Sequence, residues 1–223
     1  IPMDGMDGRK TALSMLERIE RSGVVAIVRL DDYTHAPEMA SALAEGGVEA
    51  IEFTYTNPAA GDAVRATKDA LGDRMMVGAG TVLDPETARA AILLGSDFIV
   101  TPTVQVETIR LCNRYSVPTV IGAFTPTEIL SAWEAGASIV KVFPASVGGP
   151  KYLKDVGGPL PQVKLMPTGG VSQENAGDFI AAGAVGIAAG SNLVDKATVE
   201  RQDWATLTER ARALVDAVQR ARS

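Results

Sequence analysis

Apolar residues in this chain cluster in short runs that recur at regular intervals. The first clear run, Val24-Val25-Ala26-Ile27-Val28, has no polar alternation, the pattern of a parallel strand covered on both faces. Similar runs fall at 48–55, 75–80, 98–101, 119–122, 138–143, 163–167 and 185–189. Between them lie segments of roughly 10–15 residues with helical spacing of apolar positions, the rhythm of repeated βαβ units. Ala12, Leu13, Met15, Leu16 and Ile19 predict an amphipathic helix over 9–21, ahead of the first strand. Helix starts are signalled by Thr34 before Pro37, by Asn57-Pro58 and Asp84-Pro85, and by the capping-box pattern Thr125-Pro126-Thr127-Glu128. A doubly wound open sheet would carry a glycine-rich turn after its first strand, but Arg29-Leu30-Asp31-Asp32 stands there. The expected architecture is α/β: a single (β/α)8 TIM barrel over 9–223, with an N-terminal helix preceding the first strand. Residues 1–8 read as an extension, with Ile1-Pro2 ahead of Met3 as a processing remnant.

A weak internal repeat orients the strands. Gly47, Gly95, Gly136 and Gly183 each close a helix and precede the second, fourth, sixth and eighth strands. Alternate strands of such a barrel share interior layers. Equal offsets from these glycines therefore put Glu52, Val100, Lys141 and Ala188 in one layer, with Thr54, Pro102, Phe143 and Gly190 in the next. Ala50, Phe98, Ile139 and Gly186 have the same parity and resemble core filling, which predicts that the layers face inward. An interior ammonium must find a carboxylate or lose its proton. A lysine amine kept neutral by burial is the nucleophile that Schiff-base chemistry on a carbonyl requires. Were the layer to face outward, Glu52 and Lys141 would simply be solvated charges.

Composition narrows the function. The 223 residues carry a formal net charge of -6, which argues against a nucleic-acid or anionic-membrane surface. No run approaches the roughly 20 apolar residues of a membrane span. One cysteine, Cys112, and one histidine, His35, argue against a disulfide framework and a zinc site. The cysteine usage fits a reducing compartment, so a cytoplasmic setting is expected. Met166-Pro167-Thr168-Gly169-Gly170-Val171-Ser172 ends the seventh strand, and Ala189-Gly190-Ser191-Asn192-Leu193 ends the eighth, where a short extra helical turn could start. Loops at these two positions are the usual phosphate site of this barrel. Thr-Gly-Gly alone is a weak motif; its meaning comes from its position beside Gly190-Ser191.

With these residues in place, the chain resembles the 2-keto-3-deoxy-6-phosphogluconate (KDPG) and 4-hydroxy-2-oxoglutarate (KHG) aldolase family. The motifs carrying the likeness are Gly46-Gly47-Val48-Glu49-Ala50-Ile51-Glu52, Gly78-Ala79-Gly80-Thr81-Val82, Thr125-Pro126-Thr127-Glu128, Lys141-Val142-Phe143-Pro144-Ala145 and Pro167-Thr168-Gly169-Gly170. The resemblance implies Lys141 as Schiff-base lysine and Glu52 as general acid/base. It also implies Thr81, Pro102 and Phe143 around the pyruvyl group, and Thr168, Gly169, Gly170, Gly190 and Ser191 around the phosphate. It further implies a metal-free, cofactor-free class I aldolase, a homotrimer, acting on a phosphorylated keto-sugar acid and pyruvate. Some members carry an arginine four residues after the glutamate, where this chain has Thr56. Arg29, at the end of the first strand, is the candidate replacement for holding the substrate carboxylate. A phosphosugar isomerase or epimerase, or a non-catalytic scaffold of the same fold, remains as an alternative from the residues alone.

Overall fold

The structure, a computed structural model, describes residues 16–223. The proposed extension over 1–8 lies outside the described residues, as does the first part of the predicted leading helix. Residues 16–22 of that helix are helical (α1).

Eight parallel strands follow in the order β7-β6-β5-β4-β3-β2-β1-β8. They are β1 Val24–Val28, β2 Ala50–Thr54, β3 Met76–Gly80, β4 Phe98–Thr101, β5 Thr119–Ala123, β6 Ile139–Val142, β7 Leu165–Pro167 and β8 Ile187–Ala189. Between them run α2 Ala36–Glu45, α3 Ala60–Leu71, α4 Pro85–Leu93, α5 Val106–Arg114, α6 Pro126–Glu134, α7 Gly149–Gly157 and α8 Ala176–Ala181; α9 Lys196–Glu200 and α10 Trp204–Arg222 follow β8. The end strands meet through a parallel bridge between Thr168 and Ala188, and through the Val185 N–H donating to the Leu165 carbonyl at 3.0 Å. That contact turns the sheet into a barrel. The expected (β/α)8 fold is present, with five of the eight strands trimmed by one or two residues at one or both ends and β5 one residue longer.

Inside, Val25, Ala50, Met76, Phe98, Ile139 and Met166 form one buried cluster. Leu16 and Ile19 of α1 join it from below, so the leading helix plugs the end of the barrel where strands begin. Polar contacts key this plug in place: Arg18 and Arg21 reach Glu49 at 3.2 and 2.9 Å, and Lys164 pairs with Glu20. A second, larger cluster fills the space between strands and helices and includes Ile51, Phe53, Val140 and Val142. Burying each large aliphatic side chain contributes about 1.5–3 kcal/mol. Cys112 packs in a third, smaller cluster with Ala79, Ala88 and Ile99, its thiol pKa pushed up to about 12 by burial, an inert position.

Two helix starts depart from expectation. Thr34 does not cap α2; its N–H and hydroxyl both donate to the Asp32 carboxylate at 2.8 and 2.7 Å, and the N-cap is His35. Asn57 does not cap α3, which begins at Ala60; its amide instead donates to the Leu30 and Asp31 carbonyls, tying the loop after β2 to the loop after β1. Short polar side chains next to a turn often satisfy the turn rather than the helix. The other two starts behave as read. Asp84 accepts from the Thr87 N–H at 2.6 Å, and Thr125 with Glu128 completes a capping box.

Small residues inside the barrel are spatial requirements. A methyl group at Gly78 would lie 2.5 Å from the Phe98 ring, and at Gly122 it would lie 2.3 Å from the Pro102 backbone. Backbone cannot rotate away as a side chain can. We therefore expect Gly122→Ala to lower the urea-unfolding free energy by about 1–3 kcal/mol or more. Gly157→Ala, where nothing lies within 4 Å, is expected within about 0.5 kcal/mol of wild type. Equal effects in the two variants would contradict the packing described.

Candidate active site

Glu52 and Lys141 project into the barrel from opposite parts of its wall. In β2, Glu52 is flanked by Ile27 of β1 and Gly78 of β3; in β6, Lys141 is flanked by Gly122 of β5 and Met166 of β7. They are 2% and 7% exposed respectively, so neither is a solvated surface charge. No described ion pair joins them within 4.0 Å, yet they lie close enough for each to bear on the other's ionisation. Burial pushes the Glu52 carboxyl above the ordinary carboxylate range, with Lys141 and then Arg29 opposing the rise. Burial pulls the Lys141 amine below the ordinary lysine range; Glu52 opposes the fall, and Arg29 assists it. Room for the carboxyl comes from Gly80, where an added methyl would sit 2.8 Å from Glu52 Cδ.

Arg29 continues β1 beyond its last residue and is solvent-exposed. Its Nη2 donates to Thr81 Oγ1 at 3.1 Å, bringing together two residues singled out from sequence. Thr81 has a φ of 56°, an uncommon conformation for a β-branched residue that costs on the order of 1–3 kcal/mol. The guanidinium thus reaches from the end of β1 to the end of β3, past intervening β2.

A cavity of about 310 Å³ opens at the strands' C-terminal ends. Arg29, Pro102, Lys141 and Phe143 line one part of it; Thr168, Gly169, Gly170, Gly190 and Ser191 line another. Glu52 and Thr81 adjoin this wall through Lys141 and Arg29 without being part of its lining. The Lys141 Nζ lies 5.1 Å from the Phe143 ring centroid. Gly169 and Gly170 have φ of 91° and 75°, which a side chain would strain. The loop after β6 is held against β7 by Ala145 N–H donating to the Thr168 carbonyl at 2.8 Å.

Buried Glu52 Oε2 and Thr168 Oγ1 lack protein hydrogen-bond partners, as do the hydroxyls of Tyr55, Thr67, Ser96 and Thr108 elsewhere; Thr168 is the one of these that lines the cavity. Among the described residues, no group of three or more His, Cys, Asp or Glu side chains is gathered as metal ligands. No described helix is long and apolar enough to cross a membrane.

Other residues near the site had no role assigned from sequence. Thr56 is exposed and lies 3.0 Å, hydroxyl to hydroxyl, from Thr54. The buried Tyr33 hydroxyl lies 3.1 Å from the Val28 carbonyl and 3.2 Å from that of Thr54, pinning the ends of β1 and β2. Asn192 also lines the cavity. It directly follows Gly190-Ser191 and was readable as part of that loop. Tyr33 gave no signal, because its role depends on where β2 ends.

A barrel whose C-terminal mouth leads to a buried amine, with a carboxyl beside it and a glycine-lined rim, defines an enzyme of the (β/α)8 class. A family model described as "Aldolase: KDPG and KHG aldolase" matches residues 15–210, and the chain belongs to that family. Among its relatives, the 2-dehydro-3-deoxy-phosphogluconate aldolase of Pseudomonas aeruginosa is 36% identical over 194 residues, covering 86% of this chain and 88% of that enzyme. The 2-dehydro-3-deoxy-6-phosphogalactonate aldolase of Escherichia coli is 37% identical over 171 residues, 76% of this chain and 83% of that one. The KDPG aldolase of Legionella pneumophila, solved with pyruvate captured as a covalent carbinolamine, superposes with a TM-score of 0.83 at 26% identity, covering 89% of this chain and 97% of that one.

The charge coupling has a consequence for stability. In the wild type, the Glu52–Lys141 pair holds one proton whether it is an ion pair or a neutral acid and amine, as the unfolded chain does near neutrality. Stability should then be nearly independent of this pair from about pH 5 to 8. In Lys141→Met, Glu52 loses its larger opposing charge and its folded pKa rises further above the reference 4.5. A raised folded pKa contributes stability that is present below the unfolded value and is lost as pH rises through the folded one. Urea midpoints at several pH values should therefore fall with rising pH more steeply in Lys141→Met than in wild type. Parallel profiles would show that the carboxyl is not buried beside the amine.

Proposed function

We propose that this chain is a class I, Schiff-base, metal-free aldolase that cleaves 2-keto-3-deoxy-6-phosphogluconate to pyruvate and glyceraldehyde 3-phosphate. The observation that carries the reading is the buried Lys141 amine on the wall of the cavity, its proton affinity lowered, with the Glu52 carboxyl nearby. Family membership and the Legionella carbinolamine support it.

In this reading Lys141 Nζ attacks the C2 ketone, and the carbinolamine loses water to form the protonated imine. Glu52, directly or through a water, moves the protons in these steps. Removal of the C4 hydroxyl proton lets the C3–C4 bond break; its electron pair enters the imine to form an enamine, and glyceraldehyde 3-phosphate leaves. Glu52 returns a proton to C3, and hydrolysis of the imine frees pyruvate and restores the amine. Arg29 pairs with the substrate carboxylate in place of the arginine absent at Thr56. Thr81, Pro102 and Phe143 enclose the pyruvyl group. The backbone of Gly169, Gly170 and Gly190, with the hydroxyls of Thr168 and Ser191, holds the phosphate. A cytoplasmic homotrimer completes the reading. The galactonate epimer is the second candidate substrate, favoured by the 37% identical Escherichia coli relative; 4-hydroxy-2-oxoglutarate is a third, from the family description.

Borohydride added with pyruvate is expected to leave a stable adduct on Lys141, located by peptide mass spectrometry. An adduct confined to exposed Lys151, or to Lys164 in its ion pair with Glu20, would sink the assignment. Glu52→Gln should lower kcat by about 10²–10⁴-fold. A coupled assay with both phosphorylated C4 epimers and with 4-hydroxy-2-oxoglutarate then identifies the substrate.

Arg29→Met tests the carboxylate site separately. Losing a charge-assisted hydrogen bond is worth about 1.5–3 kcal/mol, so half-saturation by pyruvate in the trapping reaction should rise by about 10–100-fold. An unchanged value would return Arg29 to a purely structural contact with Thr81.

A further inference from the structure

The two loops assigned to the phosphate spring from the strands that are least regularly paired. The barrel's other neighbouring strands are joined by ladders of two to five matched residues. β7 and β8 meet through the Thr168–Ala188 bridge and the Val185-to-Leu165 bond. The distance between the loop after β7 and the loop after β8 is therefore weakly fixed by the sheet. Gly169 and Gly170 make the first loop still more compliant.

Within that loop, Asn175 acts as a local staple. Its Nδ2 donates to the Gly170 carbonyl at 2.8 Å, and its Oδ1 accepts from the Ser172 N–H at 2.9 Å. These bonds shape the loop but do not tie it to its neighbour. Asn192 makes the side-chain tie between the loops: its Nδ2 donates to the Val171 carbonyl at 2.9 Å, in a partly shielded bond. Val171 is buried and directly follows Gly170, while Asn192 directly follows Ser191. Both line the same cavity. A bond from one to the other fixes the gap between the two groups of donors.

We propose that Asn192 is a positioning residue that sets this gap and thereby the enzyme's preference for phosphorylated over unphosphorylated keto acids. The inference rests on the functional reading above and adds to it the part that holds the phosphate subsite in shape. A phosphate gripped from two loops gains from each donor only while both stand at the right separation. Loosening one loop forfeits that preorganisation. The keto-acid end, built on β1, β2, β3, β4 and β6, does not depend on the tie.

The test compares wild type, Asn192→Ala and Asn192→Leu with 2-keto-3-deoxy-6-phosphogluconate and with its unphosphorylated counterpart. Lys141 trapping by pyruvate is the control. For the phosphorylated substrate, kcat/KM is expected to fall by about tenfold in both variants, mainly through KM, in line with the worth of one well-placed hydrogen bond. Turnover of the unphosphorylated substrate and pyruvate trapping should change by less than about twofold on the same grounds. Inorganic phosphate should also inhibit the variants more weakly than wild type. Asn192→Leu keeps the side-chain volume without the donor, and stands in if the alanine variant fails to fold. A wild type that shows no preference for the phosphorylated substrate would remove the phosphate reading and this inference with it. A wild-type preference that persists unchanged in the variants, or an equal loss on both substrates, would overturn the inference alone.

Discussion

An amine and a carboxyl buried in the same apolar cylinder are cheaper together than either would be alone. Each has lost most of its water, and for either one in isolation the remedy is to become neutral. Within reach of each other they are coupled: burial raises the proton affinity of Glu52 and lowers that of Lys141, while each opposes the other's shift. The result is an amine more readily deprotonated than a surface lysine and an acid more readily protonated than a surface glutamate. Those are the properties needed by a nucleophile and by a group that both takes and gives protons. Removing either partner leaves the other as an isolated interior charge, the costly case.

The scaffold accommodates this pair by sparing atoms. Glycine at 80 leaves space for the carboxyl, glycine at 78 admits the Phe98 ring beneath it, and glycine at 122 lets the Pro102 backbone pack against β5, the strand next to that of Lys141. Below, Phe98, Met76 and Ile139 fill the interior, and α1 seals it with Leu16 and Ile19. The polar layer is therefore confined to the end of the barrel where the loops open.

The parity of the strands was legible because an odd residue is conspicuous in a repeating pattern. Glycines at matching offsets before even-numbered strands put Glu52 and Lys141 in one interior layer, and their burial agrees with that placement. Helix starts were less legible. Asp84 and Thr125 cap as their local sequence implies, whereas Thr34 and Asn57 spend their side chains on turns whose path is set by neighbouring loops. Tyr33 was invisible for the same reason: its hydroxyl reaches two carbonyls on strands that come together only in the folded barrel. Residue-by-residue patterns carry information about faces and periods, while contacts across adjoining loops require the closed sheet.

In the proposed function Arg29, at the end of β1, stands in for the arginine that some family members carry at the position of Thr56, and this changes more than the origin of a positive charge. From the end of β1, the guanidinium reaches across to Thr81, and it bears on both buried groups at once. It favours the ionised form of Glu52 and the neutral form of Lys141. Both influences are smaller than that of burial, which acts against Arg29 at Glu52 and with it at Lys141. An incoming carboxylate that neutralised Arg29 would relax both effects and return proton affinity to Glu52 and Lys141. Substrate binding and proton supply would thereby be coupled through a single side chain. The uncommon backbone of Thr81 presents the hydroxyl that accepts from Arg29, and in the proposed function it holds the cation where the substrate carboxylate would meet it.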